Sequence, residues 1–212
     1  MTKYYYNLGS CFSDTAKRHG ADIALRYADS QHSYADLLIW VEKLASLLLA
    51  GKLERGDVIA IGNSKGPLTY ALMLAALRLG VVYVNLDVAS PLSRNLRIAK
   101  LSGAKHIFHD DPEYSKAMAE LASNCDCSAS LLDFDILPKV TSADRELQQN
   151  LMQKVDGATI AYVMFTSGST VGSSIEPRAR PPSCLIPSAS ERKITRAFRA
   201  ITSCMLEAVF SK

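Results

Sequence analysis

Two rhythms of apolar residues alternate along the chain. From Ser33 to Leu49, Leu37, Val41, Leu44 and Leu48 recur at spacings of four, three and four, which predicts one face of a helix. Ser33 with Asp36 three positions on forms the hydroxyl and carboxylate pair of an N-terminal cap, and Gly51 is expected to end the helix in a left-handed conformation. Val58-Ile59-Ala60-Ile61 is a short unbroken apolar run between turn residues, which predicts a strand buried on both faces. Pro67 opens a second helix carrying Leu68, Ala71, Leu72, Ala75 and Leu79 and stopping at Gly80, and Val81 to Leu86 is the next strand. Pro91 starts a third helix that runs to Gly103, Lys105 to Phe108 is a strand, and a fourth helix follows Asp110-Asp111-Pro112 and ends near Asn124. Ser130 to Phe134 and Thr159 to Phe165 read as two more strands, separated by a polar stretch from Asp135 to Gly157 with room for one helix between Thr141 and Leu151. Short apolar strands alternating with helices predict an α/β fold, a mostly parallel sheet with helices on both faces.

After Gly172 the pattern changes. Pro177, Pro181, Pro182 and Pro187 preclude regular structure, and from Ser190 onward Ile194, Phe198, Ile201, Met205 and Val209 resume a helical spacing beside Arg192, Arg196 and Arg199. Charge follows the same boundary. The chain's net charge is +3, yet residues 175–212 hold seven Lys or Arg against three Glu, so the preceding 174 residues are close to neutral. The body therefore offers no electrostatic reason to expect nucleic acid as a partner. With 212 residues and 48% hydrophobic composition the chain can bury a substantial core. No apolar run reaches the roughly 18 residues of a membrane span, and the start MTKYYYNLGS has no secretory apolar stretch, so a cytoplasmic protein is expected. Cys11, Cys125, Cys127, Cys184 and Cys204 are scattered, without a CxxC pair, and are read as free thiols.

The candidate chemistry sits where the last strand ends. Tyr162 to Thr170 reads YVMFTSGST: an apolar run that stops at Thr166, Ser167, Gly168, Ser169 and Thr170. Glycine lets the backbone approach a ligand closely, and amides with Thr and Ser hydroxyls supply uncharged donors suited to phosphate oxygens. In open α/β sheets ligands collect at the carboxyl ends of strands. Neither GxxxxGK[ST] nor GxGxxG follows a predicted strand, which disfavours a P-loop enzyme and an NAD-type dehydrogenase. Gly62 to Gly66 is read as an ordinary strand-to-helix turn. His106 and His109, three apart on a strand, fall on opposite faces and are not read as metal ligands.

YVMFTSGST resembles the phosphate-binding signature of the adenylate-forming enzymes, which include acyl-CoA synthetases, luciferases and the adenylation domains of nonribosomal peptide synthetases. Its FTSGST form is most similar to the amino-acid-activating branch. Ser33 to Ile61 and Leu77 to Arg94 resemble two further core regions of the same family, in the same order. The resemblance implies that Thr166, Ser167, Gly168, Ser169 and Thr170 contact the β- and γ-phosphates of ATP while a carboxylate substrate attacks the α-phosphate. It also implies Mg²⁺, with its ligand beyond this chain. Two departures stand out. Val171-Gly172-Ser173-Ser174-Ile175 replaces the family's Gly-x-Pro-Lys-Gly, so the phosphate-facing lysine has no counterpart in register, and Asn85 and Val88 stand where prolines are usual.

Residues 1–174 are thus expected to form part of an AMP-binding domain, and 175–212 an unrelated Pro-rich, basic tail. The tail fits a shifted reading frame, an alternative exon or intron read-through better than a specialised short protein. A fragment inactive by itself is the resulting expectation. The alternative is a noncatalytic module that pairs with an intact synthetase through its incomplete sheet.

Overall fold

The structure is a computed structural model that describes residues 5–165. Thr166 to Thr170 and the expected boundary at 174 lie outside the described residues.

Three helices make one layer. The first, α1 (Leu8–Arg18), is capped by the Asn7 side chain, which accepts from the amides of Gly9 and Ser10. A hairpin of β1 (Ile23–Tyr27) and β2 (Ser30–Ser33) then leads into α2 (Tyr34–Ala50). Ser33 and Asp36 form the expected reciprocal capping box. The expectation for Gly51 is corrected: its φ is −73°, and the left-handed residue is Lys52 at +57°. The chain turns one residue later than the glycine suggests, and Leu53 donates back to the Leu48 carbonyl at 3.1 Å.

Next come β3 (Val58–Asn63), α3 (Pro67–Leu79) and β4 (Val82–Asp87). α3 is buried at every position but Tyr70, which makes it a central helix rather than a surface one. It ends at Gly80 with φ +75°, as its sequence predicts. On the other side of the sheet follow α4 (Leu92–Ser102), β5 (His106–His109), a 3₁₀ turn at Pro112–Tyr114, α5 (Ser115–Ser123) and β6 (Ser128–Leu131). The strand expected at Ser130 to Phe134 is displaced toward the N-terminus. Asp133 accepts from the Asp135 amide at 3.0 Å and turns the chain into a 3₁₀ turn, Phe134–Ile136, before Phe134 can pair. The polar stretch does hold a helix, α6 (Ser142–Gln153), with a second capping box from Thr141 and Asp144.

Five strands form a parallel sheet in the order β6-β5-β3-β4-β7, where β7 is only Tyr162–Val163. The expected strand from Thr159 is shortened because Asp156 Oδ1 accepts from the Ala158 amide, the Thr159 amide and the Thr159 hydroxyl, a side-chain turn that competes with pairing. Alternation along each strand separates two cores. Ile59, Ile61, Tyr83 and Phe108 face α1, α2 and α3; Ala60, Val84, Leu86 and Ile107 face α4 and α5.

Candidate site at the carboxyl edge of the sheet

Parallel strands present all their carboxyl ends on one edge. Tyr162 pairs with Tyr83 and Val163 with Val84, so β7 runs toward the same edge as Asn85 to Asp87. Tyr162 packs with the first core, its ring centroid 5.7 Å from that of Tyr83, while Val163 and Phe165 pack with the second. This apolar anchoring on both faces fixes the direction in which the chain leaves the sheet. Burial, with a smaller contribution from the Tyr162 phenol, pushes the Tyr83 hydroxyl far above its ordinary value and keeps it neutral.

At the end of β4, Asp87 closes a turn: its carboxylate accepts from the Ala89 amide and the Ser90 hydroxyl, both at 3.1 Å, and its carbonyl accepts from Asn95 Nδ2 at 2.9 Å. Asn85 Oδ1 is buried without a hydrogen-bond partner among the described residues. The neighbouring turn after β3 behaves differently. Ser64 donates its hydroxyl to Asp110 Oδ1 at 2.6 Å, Asn63 Oδ1 accepts from the Lys65 amide at 2.7 Å, and the Thr69 hydroxyl donates to the Gly66 carbonyl at 2.7 Å. Its polar groups serve one another and β5, which is the structural role read from the sequence. The crevice between β3 and β5, where connections diverge to opposite faces, is bridged by Ser64 and Asp110. Sequence reasoning did not single out Asp110 for this, because no local pattern signals a bond across 46 residues.

The histidines fall on opposite faces. His106 Nε2 lies 2.9 Å from the Ser130 hydroxyl and its ring stacks on Phe108, whereas His109 is buried with Nδ1 3.1 Å from the Asp111 carbonyl. Burial pushes the His106 pKa down. Burial likewise raises the thiols of Cys125 and Cys127, which argues against reactive thiolates. No group of three or more His, Cys, Asp or Glu placed to hold a metal ion occurs among the described residues. Nor is any described helix long and apolar enough to cross a membrane.

The model of the family described as "AMP-binding enzyme" matches residues 12–171, three quarters of the chain. The chain belongs to the AMP-binding enzyme family. The match spans both the sheet and the signature Tyr162 to Thr170, and it ends one residue later. This family member is 30% identical over 159 residues to surfactin synthase subunit 2 of Bacillus subtilis, covering 75% of this chain and 4% of that protein. It is 27% identical over 173 residues to nonribosomal peptide synthetase 2 of Gibberella zeae, covering 77% of this chain and 3% of that one. The chain therefore spans only a few per cent of the length of these curated relatives. Among solved structures its fold is similar to VinN with 3-methylaspartate, with a TM-score of 0.63 and 20% identity over 80% of this chain and 46% of VinN. It is also similar to ATP-bound MatB from Rhodopseudomonas palustris, with a TM-score of 0.59 and 22% identity over 80% and 33% of the two chains.

Proposed function

We propose that this AMP-binding family chain carries the phosphate-gripping edge of an adenylate-forming site, the part that holds ATP while a carboxylate, such as that of an amino acid, is activated. Thr166, Ser167, Gly168, Ser169 and Thr170 are the assigned phosphate contacts. The observation that carries this reading is the parallel pairing of β7 with β4, anchored by Tyr162, Val163 and Phe165, which directs the chain to the carboxyl edge immediately before these residues. In the reaction a substrate carboxylate oxygen bonds to the α-phosphorus as the bond to the bridging oxygen breaks, and pyrophosphate leaves. Donors positioned in advance stabilise charge on that leaving group. ATP and the carboxylate are the substrates; the family implies Mg²⁺, and no step is assigned to it. A cytoplasmic location belongs to the same reading.

The family match ends at residue 171, and the segment 175–212 carries none of the resembling regions. We therefore assign the boundary to residue 174 and expect this 212-residue chain by itself to catalyse no carboxylate-dependent exchange of pyrophosphate into ATP. Clear exchange would contradict that inactivity. ATP binding is tested separately by calorimetry: Thr166→Ala and Ser169→Ala should each weaken it, by roughly tenfold for one lost charge-assisted contact. Unchanged affinity in both variants would remove the loop from the site. The two-residue strand β7 is at one end of the described sheet, and pairing there with an intact synthetase would appear as a mixed species in light scattering.

A further inference from the structure

A second concave site lies on the far side of the helical layer, between α1, α2, α3 and α6. It is a cavity of about 400 Å³ lined in part by Ser13, Lys17, Glu42, Arg78, Arg145 and Gln149, which is within the ~300–1,000 Å³ range of small-molecule pockets. Arg78 is the one charged residue of the otherwise buried α3 and is only 4% exposed. Its position is enforced by α1, which crosses so closely that a Cβ on Gly9 would come within 2.5 Å of the Arg78 Cα.

The guanidinium is incompletely satisfied. Nη1 donates to the Ser13 hydroxyl at 2.9 Å, and that hydroxyl donates onward to the Gly9 carbonyl. Nη2 stands 4.0 Å from Glu42 Oε1, beyond hydrogen-bond range, and buried Nε has no partner at all among the described residues. The other oxygen of Glu42, Oε2, accepts from Arg145 Nε at 2.8 Å, so the carboxylate is drawn closer to Arg145 than to Arg78. Nε and Nη2 form one edge of the planar guanidinium, the edge that pairs with two oxygens of a carboxylate or phosphate. Lys17, Arg78 and Arg145 bring three cations to the cavity against the two carboxylates of Glu42 and Glu146. A buried cation with an unpartnered Nε, lining a cavity where three cations face two carboxylates, is a site that lacks its acceptor.

We infer that this cavity binds a small oxyanion, a carboxylate or phosphate group held by the Nε and Nη2 edge of Arg78 with Lys17 and Arg145 at its mouth. Among the described residues its lining contains none from β4 or β7. Glu42 holds Arg145 in place through the 2.8 Å ion pair.

The test is nuclear magnetic resonance on the full chain labelled with ¹⁵N, following the Arg78 Nε–H signal, assigned through its own side-chain couplings. Inorganic phosphate and succinate are titrated separately, against sodium chloride at equal ionic strength. Either anion should give a saturable shift that chloride does not, and which anion does so identifies the group bound. Lys17→Gln and Arg145→Gln, both at exposed positions, should weaken it roughly tenfold for each lost charge-assisted contact while leaving the amide spectrum dispersed. The double variant Ser167→Ala, Ser169→Ala should leave this titration unchanged. No saturable shift with either anion, a shift indifferent to both cavity variants, or one lost in the loop variant would each overturn the assignment.

Discussion

At the scale of single residues, two positions have consequences that can be measured. Gly9 is where α1 rests on α3, and the backbone of Arg78 cannot move away without disturbing a buried helix. Gly9→Ala should therefore destabilise the fold by about 1–3 kcal/mol, the cost of overpacking, as read from urea denaturation midpoints. His106 gives a pH dependence. Its folded pKa lies below the ordinary imidazole value because burial disfavours the charged ring, so the unfolded state binds its proton more readily. The associated stability is present above an unfolded pKa of roughly 6.5 and is lost as pH falls toward the lower folded value. Stability should decline between neutral pH and pH 5, and His106→Gln, which can still meet the Ser130 hydroxyl, should flatten that decline. An equal slope in the variant would assign the effect elsewhere.

Elements were legible in proportion to how much of their identity is local. α2, α3 and α4 carry strict apolar spacing with glycine or proline at their ends, and Ser33 with Asp36 marks a start that the structure reproduces. Ser33→Ala should accordingly cost about 1 kcal/mol in urea denaturation; no change would mean that the cap is replaced by solvent. α1 was not anticipated, although Asn7 caps it and Leu8, Phe12 and Ala16 repeat every four residues. Gly9, Ser13 and Thr15 are buried on the same helix, and these small polar residues blur the apolar stripe. The hairpin of β1 and β2 was missed because its residues are mostly exposed or half-buried, which leaves no two-residue alternation to read. Of the candidate site, the strand and its direction were legible. The orphan donor edge of Arg78 was not, because it depends on contacts among helices far apart in sequence.

Across the whole molecule, strand order puts the parts in their places. β4 lies between β3 and β7, so the chain leaves β7 at Met164 beside the carboxyl end of β4 and apart from the bridged crevice between β3 and β5. Its anchors on both cores, rather than a long strand, hold that exit. A Val163→Asp variant, burying a charge against the second core, should weaken ATP binding together with stability, whereas Thr166→Ala should weaken binding alone. The central claim is that Thr166 to Thr170 grip the phosphates of ATP. Its most direct test is a titration of the ¹⁵N-labelled chain with ATP, following backbone amides by nuclear magnetic resonance. The account predicts saturable shifts at Thr166, Ser167, Gly168, Ser169 and Thr170; saturable shifts confined to other residues, with these five unmoved, would contradict it.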